Sequence, residues 1–344
     1  MKMAKRTTIQ DIANKTGYSK TAVSFAFNSP ERISKEAVGR ILQAAKELDY
    51  IPDPMARNFS LGHHMALGFL LPQRVETTLH NPYMQQVIRG VAEVCQEHGY
   101  MLTLIPPLHS SVEEAVKNAT VDGIITIGLI SDKNIRGVFR RRHLPLVSID
   151  GAADDEIYSV SIDDTAAARM QLEKVLEKGH RNIAIISLPD DAYADRFQNA
   201  DTIVRRRKRG YLEALKAYSI SQSSIILEAA DATIDGGIKS AEKILSSSHP
   251  TCFVCMSDAV AIGVINVLSR QGLEDISVIG FDGIVDDMAS VPELTTIYQS
   301  GKEKGLKSAE ILFRLLDGEV DTPMQTLIPY SFHEGETLKE VSWK

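Results

Sequence analysis

This sequence of 344 residues has few cysteines, no long apolar run and no leader-like pattern at its N-terminus. Its three cysteines, Cys95, Cys252 and Cys255, are too few and too odd a set for a disulfide framework, which favours a reducing compartment. No stretch approaches the roughly 18 consecutive apolar residues of a membrane span, and no apolar segment follows the cations of MKMAKRTTIQ. We therefore expect a cytoplasmic protein that does not contact a membrane.

Signatures of common enzyme classes are missing as well. The chain contains no G-x-x-x-x-G-K-[ST], no G-x-S-x-G, no H-E-x-x-H, and no G-x-G-x-x-G behind a strand. These absences argue against P-loop, hydrolase, zinc-protease and dinucleotide chemistry. We therefore expect a protein that is not an enzyme and that holds neither a cofactor nor a metal.

Two of the cysteines have the spacing of a redox or metal pair. Cys252 and Cys255 lie in PTCFVCMSD, however, and this run is typical of a buried strand. Positions i and i+3 of a strand face opposite sides, so the two thiols should point apart. We interpret both residues as core cysteines.

The charge of the chain is divided unevenly between its two ends. Hydrophobic and charged contents of 44% and 24% are those of an ordinary globular protein, and the length predicts two or three domains. Residues 1–62 carry a net charge of +4, whereas the remainder carries −11. A basic head on an acidic body suits one domain that meets phosphates.

The basic head contains the pattern of a helix-turn-helix over Thr8–Asn28. Thr8 and Asp11 can form a capping box, Gly17 suits the turn, and Ser19 can cap the second helix. The outer face of that helix is mostly small and polar: Lys20, Thr21, Ser24, Phe25 and Asn28. Such a face suits the major groove of DNA, although a three-helix core without a ligand remains the alternative.

A third helix and a short linker follow. Ser34 can cap the third helix, and its core stripe is predicted to be Val38, Ile41, Leu42, Ala45 and Leu48. Within residues 51–62, Asp53 and Pro54 can start a helix of about two turns, which would be marginal in isolation. We expect this segment to be a hinge that orders conditionally.

From Met65 onward, apolar strands alternate with amphipathic helices. The predicted strands are Ala66–Leu71, Tyr100–Ile105, Gly123–Ile127, Leu146–Ile149, Asn182–Ser187, Ser224–Glu228, Thr251–Met256 and Ile276–Gly280. The predicted helices are Met84–His98, Thr165–Lys178, Arg209–Tyr218, Asp235–Ser246 and Ala259–Gln271. Gly99 and Gly179 mark the ends of two of them. This alternation predicts two doubly wound parallel sheets, with a break near Asp150–Asp164, and Thr296–Glu334 crosses back to complete both.

Polar side chains follow several of these strands. Asp150, Ser257, Asp258 and Asp282 come directly after apolar runs, at the edge where open parallel sheets bind ligands. Carboxylates and hydroxyls that converge there suit a neutral polyhydroxyl ligand, although each residue alone could equally cap a helix or a turn. The cation runs 140–142 and 205–209 are interpreted as exposed helix ends.

An ordered series of sequence blocks resembles the lactose repressor family of bacterial transcription regulators over essentially the full length. The blocks are TIQDIANKTGYSKTAVSFAFN, AAKELDYIPDPMARNFSLG, NPYM, PLVSID, GHRNIA, RKRGYLEAL, SDAVAIG, DISVIGFD and LTTIYQ. The resemblance implies a DNA-binding headpiece (residues 1–50), a hinge helix (51–62) and a two-lobed core like that of periplasmic sugar-binding proteins (63–344). We expect lobe 1 to comprise about 63–162 and 298–326, and lobe 2 about 163–297 and 327–344.

The resemblance also implies residue roles, a homodimer and a pseudo-palindromic operator. The predicted DNA-binding residues are Thr8, Ser19, Lys20, Thr21, Ser24, Phe25, Asn28, Arg57 and Phe59. The predicted effector-binding residues are Tyr83, Asp150, Arg207, Ser257, Asp282 and Gln299. We expect a transcriptional regulator, a repressor in our interpretation, that is controlled by a small molecule such as a sugar. A sugar-processing enzyme with a dimerisation head is the rival interpretation.

Three positions depart from the family pattern. Phe25 replaces a common Arg or His, which suggests contact with a thymine methyl group rather than with phosphate. Phe59 stands where a Leu usually wedges into the minor groove, and Ser257 replaces a common effector-binding Asn. No heptad segment precedes Lys344, so a coiled-coil tetramer is not expected.

Overall fold

The chain folds as two units, Met1–Met65 and Ala66–Lys344. A computed structural model describes residues 7–52, 58, 62–71, 75–128, 133–151, 157–189, 201–284, 293–319, 321 and 323–341. Within these ranges, no helix is long and apolar enough to cross a membrane. The same ranges contain no group of three or more His, Cys, Asp or Glu that could hold a metal ion.

The first unit is a three-helix bundle. Its helices are α1 (Ile9–Thr16), α2 (Lys20–Asn28) and α3 (Lys35–Glu47), with a 3-10 turn at Pro30–Arg32. They enclose a small apolar core that consists of Ile12, Ala13, Val23, Ala26, Ile41, Ala44 and Ala45. Most of the predicted hinge lies outside the described residues. Asn58, which is described, donates a hydrogen bond to the carbonyl oxygen of His64 at 2.7 Å.

The predicted helix ends of this unit are confirmed. Thr8 donates to Asp11 Oδ2 from its backbone nitrogen at 2.9 Å and from its hydroxyl at 2.7 Å. Gly17 adopts a φ of 77°, and the hydroxyls of Ser19 and Ser34 each accept a backbone hydrogen bond at 3.2 Å. Local sequence therefore determines where α1, α2 and α3 begin and where α1 ends.

One residue of the predicted α3 stripe was placed wrongly. Leu42 is 41% exposed, whereas Ala37 and Ala44 are buried. The buried face runs through positions 37, 41, 44 and 45, and a residue directly after Ile41 is rotated by about 100° from it. Leu42 therefore falls beside the face rather than on it.

The second unit contains two six-stranded sheets. The first has the order β11-β5-β4-β3-β1-β2 and is parallel throughout. Its strands are β1 (Ala66–Leu70), β2 (Met101–Ile105), β3 (Gly123–Ile127), β4 (Leu146–Ile149), β5 (Tyr158–Ser161) and β11 (Gln325–Leu327). We call this sheet and the helices packed on it the first lobe.

The second sheet has the order β12-β10-β9-β8-β6-β7 and is parallel except for β12, which pairs antiparallel with β10. Its strands are β6 (Ile183–Ser187), β7 (Ile226–Ala229), β8 (Cys252–Cys255), β9 (Ser277–Asp282), β10 (Thr296–Gln299) and β12 (Tyr330–His333). This sheet and its helices form the second lobe. Parallel sheets covered by helices match the predicted fold class.

The remaining helices connect these strands. They are α4 (Val75–Leu79), α5 (Pro82–Glu97), α6 (Val112–Asn118), α7 (Lys133–Arg142), α8 (Asp164–Glu177), α9 (Ile203–Ala217), α10 (Ile234–Leu245), α11 (Asp258–Gln271) and α12 (Gly301–Leu316). Helix α12 packs against α5 in the first lobe. Gly305 permits this approach, because a Cβ there would collide with the Val87 carbonyl oxygen.

Among the predicted boundaries, two differ substantially from the structure. The predicted break between the sheets at 150–164 contains β5, a strand of only four residues that belongs to the first sheet. Helix α9 begins at Ile203, six residues before the predicted start at Arg209. A run of five cations obscured the apolar positions of its first two turns.

Candidate functional sites

The predicted DNA-reading face of α2 is accessible in the isolated first unit. Ser19, Lys20 and Thr21 are exposed, whereas Ser24 and Asn28 are half-buried. Asn28 Nδ2 lies 3.4 Å from Ser24 Oγ. The inward positions of α2 are Val23 and Ala26, so the polar face points away from the core. Arg57 and Phe59, the two predicted contacts in the hinge, lie outside the described residues.

Phe25 has a cation beside it that the sequence analysis missed. The Arg32 guanidinium carbon lies 5.3 Å from the centroid of the Phe25 ring, within the range of a cation–π contact. Arg32 comes from the 3-10 turn after α2. Arg32 therefore places a positive charge beside Phe25, at the position where the family commonly has a basic side chain.

A cavity of about 210 Å³ lies between the two lobes, at the carboxyl ends of strands from both sheets. All six predicted effector-binding residues line it: Tyr83, Asp150, Arg207, Ser257, Asp282 and Gln299. Apolar groups such as Met84, Ile127 and Leu188 complete the wall. A small set of polar groups in a mainly apolar cavity is typical of a small-molecule site.

Arg207 is fully buried and held from the second lobe. Its Nε donates to Asp164 Oδ1 at 3.1 Å and its Nη1 donates to the Met256 carbonyl oxygen at 2.6 Å. Its Nη2 is buried and has no hydrogen-bond partner among the residues that the structure describes. Its guanidinium carbon lies 3.6 Å from the centroid of the Phe281 ring. Burial alone would lower the pKa of Arg207, but the carboxylates of Asp164 and Asp282 raise it. The guanidinium is therefore a rigid, charged donor at the cavity wall.

The other acidic and amide groups of the cavity form one network through Lys304. Lys304 Nζ pairs with Asp150 Oδ1 and donates to Gln299 Oε1 at 2.6 Å. Gln299 Nε2 donates in turn to Asp282 Oδ1 at 2.9 Å. Because Asp150 comes from the first sheet and Asp282 from the second, this network connects the two lobes.

Burial changes the acid–base properties of this wall. It raises the pKa of Asp282 to about 7, with Arg207 opposing the shift and Asp258 adding to it. Burial likewise raises the pKa of Tyr83 well above its ordinary value, and no described residue forms a hydrogen bond with its hydroxyl. The cavity thus offers a neutral phenol and a carboxyl that titrates near neutrality.

Asp258 has a different role from the other strand-end carboxylates. Its Oδ2 accepts from the backbone nitrogens of Gly283 and Ile284 at 2.7 and 2.9 Å, and its Oδ1 accepts from the Thr296 hydroxyl at 2.6 Å. Both oxygens are used within the protein, and Asp258 is not among the residues that line the cavity. For this residue, the alternative interpretation as a turn cap is correct.

Comparisons with known proteins agree with this two-part organisation. Residues 8–53 match the model of bacterial regulatory proteins of the lacI family, and residues 172–338 match a periplasmic binding protein-like domain. The HTH-type transcriptional regulator IpsA of Corynebacterium glutamicum is 32% identical, and the alignment covers 97% of this chain and 98% of IpsA. The chain belongs to the LacI family.

Other LacI-type proteins extend the comparison. The HTH-type transcriptional repressor CytR of Escherichia coli K12 is 28% identical, over 91% of this chain and 90% of CytR. A Lac repressor dimer bound to operator and the anti-inducer ONPF superposes with a TM-score of 0.77 at 22% identity, over 97% of this chain and all of that one. A LacI-family regulator from Enterococcus faecium with bound ribose gives 0.69 at 22% identity, over 80% of this chain and all of that one.

Membership of the LacI family makes this protein an HTH-type transcriptional regulator with a periplasmic-binding-protein-like core. Three charged residues that contact the cavity lining were nevertheless missed as site residues: Asp164, Arg206 and Lys304. Arg206 Nη2 donates both to Asp164 Oδ2 at 2.9 Å and to the Asp150 carbonyl oxygen at 2.8 Å. The interpretation of run 205–209 as an exposed helix end is also wrong, because Arg207 is 1% exposed.

The two cysteines of β8 lie in the core, as the sequence pattern predicts. Cys252 and Cys255 are free and fully buried, and they belong to separate apolar clusters on opposite faces of the second sheet. Burial raises the pKa of both thiols. An inert core role is therefore confirmed for their side chains.

Proposed function

We propose that this LacI-family regulator is a repressor that acts as a homodimer on a pseudo-palindromic operator. A neutral polyhydroxyl effector, a sugar or a sugar derivative, binds in the cavity between the lobes and changes operator affinity. For an ordinary coupling of ~1–3 kcal/mol, the affinity changes by a factor of roughly 5 to 150. Lys20, Thr21 and the other predicted contacts of α2 read the operator, and Phe59 wedges into its minor groove.

The observation that carries the effector assignment is the set of buried polar atoms left open at the cavity. Asp150 Oδ2 is an acceptor, Arg207 Nη2 is a donor, and the Tyr83 hydroxyl can be either. A buried polar atom without a partner costs about 1–3 kcal/mol, and ligand hydroxyls could satisfy all three atoms. These groups therefore match a ligand that both donates and accepts.

The charges around the cavity favour a neutral ligand over an anion. Lys304 is paired with Asp150, and Arg206 and Arg207 share Asp164. Asp282 adds a further carboxyl to the wall. At a pH where Asp282 is ionised, three carboxylates balance the three cations of this group, so a free sugar fits better than a sugar phosphate.

Two exposed edge strands support self-association. Met101 on β2 and Leu227 on β7 are 73% and 64% exposed, and each lies on the edge strand of its sheet. Apolar side chains on unpaired edges favour contact with another chain. Sedimentation velocity should show a dimer at micromolar concentration, and a persistent monomer would contradict this part of the proposal.

A thermal-shift panel tests the effector assignment. The panel contains D-ribose, cellobiose, D-ribose 5-phosphate, cytidine and hypoxanthine. A ligand that binds the folded state raises Tm, and at a fixed concentration a tighter ligand raises it more. We expect a neutral sugar to stabilise the protein and to change operator binding, and we expect it to be recovered chemically unchanged. Arg207→Met should abolish the shift, whereas Arg209→Met, at an exposed position of the same helix, should retain it. Stabilisation by the phosphate alone, or turnover of the sugar, would refute the proposal.

A further inference from the structure

Lys304, the fourth residue of α12, is completely buried although it is a lysine. Its ammonium touches Asp150 and Gln299 and lies 5.7 Å from the centroid of the Tyr83 ring. These three neighbours line the cavity, whereas Lys304 lies behind them. A buried ammonium is costly unless it is paired and hydrogen-bonded, so its position calls for an explanation.

One consequence of this position concerns the amide of Gln299. An ammonium group only donates hydrogen bonds, so the Gln299 atom that faces Lys304 must be the carbonyl oxygen. The amide nitrogen then faces Asp282 and donates to Oδ1. Lys304 therefore occupies the Gln299 carbonyl oxygen. Because this fixes the orientation of the amide, the Gln299 nitrogen occupies one oxygen of Asp282.

A second consequence concerns Asp150. Its Oδ1 pairs with Lys304, while its buried Oδ2 has no partner within the described part of the chain, and Asp150 itself lines the cavity. The Asp150 carbonyl oxygen is held separately by Arg206, and the residue has a φ of 58°. Lys304 therefore fixes the carboxylate of Asp150 and Arg206 fixes its backbone, and Oδ2 faces neither of them.

We propose that Lys304 is a positioning residue that determines which ligands the cavity accepts. Its ammonium pairs with Asp150 Oδ1 and leaves Oδ2 as an acceptor for ligand hydroxyls, and the carboxylate charge disfavours an anionic ligand. The inference rests on the proposed effector site for its ligand, but the pairing of Lys304 with Asp150 can be tested without one. Among the described residues, Tyr83, Asp282, Arg206 and Arg207 are the other ionisable groups that face this network.

The first test compares unfolding of the ligand-free protein at two pH values. Lys304→Met leaves a buried Asp150 carboxylate without its cation, and the charged form then destabilises the folded state. We expect the Tm deficit relative to wild type to be about twice as large at pH 8 as at pH 5.5. The double variant Lys304→Met/Asp150→Asn should have a deficit that does not depend on pH.

The control is Lys307→Met, one turn along the same helix, where an exposed lysine pairs with Glu310 at 2.9 Å. It should behave as wild type at both pH values. Equal deficits for Lys304→Met at the two pH values would overturn the role assigned to Lys304. So would a pH-dependent deficit that persists in the double variant, because the titrating group would then not be Asp150.

The second test measures binding by calorimetry at pH 8, with D-ribose and D-ribose 5-phosphate as probes. Lys304→Met should weaken D-ribose binding at least tenfold. It should also reduce the ratio of the Kd for D-ribose 5-phosphate to the Kd for D-ribose, whereas Lys307→Met should change neither quantity. Unchanged D-ribose affinity in a folded Lys304→Met protein would overturn the proposal. If wild type binds no compound of the panel, the proposed effector fails, and the pH comparison still decides whether Lys304 offsets the buried charge of Asp150.

Discussion

Replacing Asp282 by Asn should make this regulator more stable at alkaline pH while it damages the proposed effector site. Asp282 lies at the end of β9 and is 5% exposed. Burial raises its pKa to about 7, and the opposing attraction of Arg207 does not cancel that effect. In the unfolded chain, the same carboxyl has an ordinary pKa of about 3.9.

The sign of the effect follows from these two pKa values. Because the folded pKa is the higher one, the folded state binds the proton more tightly, and this stabilising contribution is lost as pH rises from about 4 through 7. Between pH 5.5 and pH 8 the loss is about 2 kcal/mol. The amide of the variant does not titrate, and its oxygen can still accept from Gln299. The variant should therefore gain about 2 kcal/mol on wild type across this range.

Urea unfolding followed by circular dichroism measures this gain. Protein concentration must be held constant, because dimerisation contributes to apparent stability. Asp275→Asn, at an exposed position of the same lobe, is the control and should track wild type at both pH values. A free-energy difference between Asp282→Asn and wild type that stays constant with pH would refute the reasoning, as would one that changes in the opposite direction.

Three further predictions concern other parts of the protein. Arg207→Met should lower the free energy of unfolding, measured in urea, by about 3 kcal/mol. The substitution breaks the buried ion pair with Asp164, which then has only Arg206 as a cationic partner among the described residues. Lys20→Ala should weaken operator binding by ~1–3 kcal/mol in fluorescence anisotropy, and a reduced salt slope without a change in base preference would indicate a phosphate contact instead. The three thiols should react with Ellman's reagent at pH 8 only on unfolding, because all are buried and burial raises the pKa of Cys95 to about 11. Rapid labelling of the native protein would contradict that expectation.

Sequence predicted best those features that depend on neighbouring residues. The Thr8–Asp11 capping box and the Gly17 turn involve residues a few positions apart, so the pattern determines the structure directly. Strand β5 was missed because a run of four residues gives too little alternation to identify a strand. Its partner β11 comes from a segment more than 160 residues later, and no local pattern records that pairing.

The buried charges were missed for a different physical reason. Lys304 lies in GKEKGLKS, which has the composition of a solvated helix start, and only the packing of α12 on α5 reveals which lysine faces inward. Asp164 and Arg206 likewise acquire their roles from partners on other elements. Burial of a charge is a property of the tertiary structure, because a charged side chain is buried only where its partner also lies.

The structure also separates strand-end carboxylates that the sequence could not distinguish. Asp258 satisfies both of its oxygens within the protein, as a residue that only stabilises a turn should. Asp150 and Asp282, by contrast, have backbone φ values of 58° and 125°, which cost a non-glycine residue about 1–3 kcal/mol each. Both line the cavity, and one oxygen of Asp150 has no partner in the ranges that the structure describes. These two buried carboxylates have a strained backbone, which reduces the stability of the folded protein. A residue that only caps a turn would not require this strain, so we favour ligand binding as the role of Asp150 and Asp282.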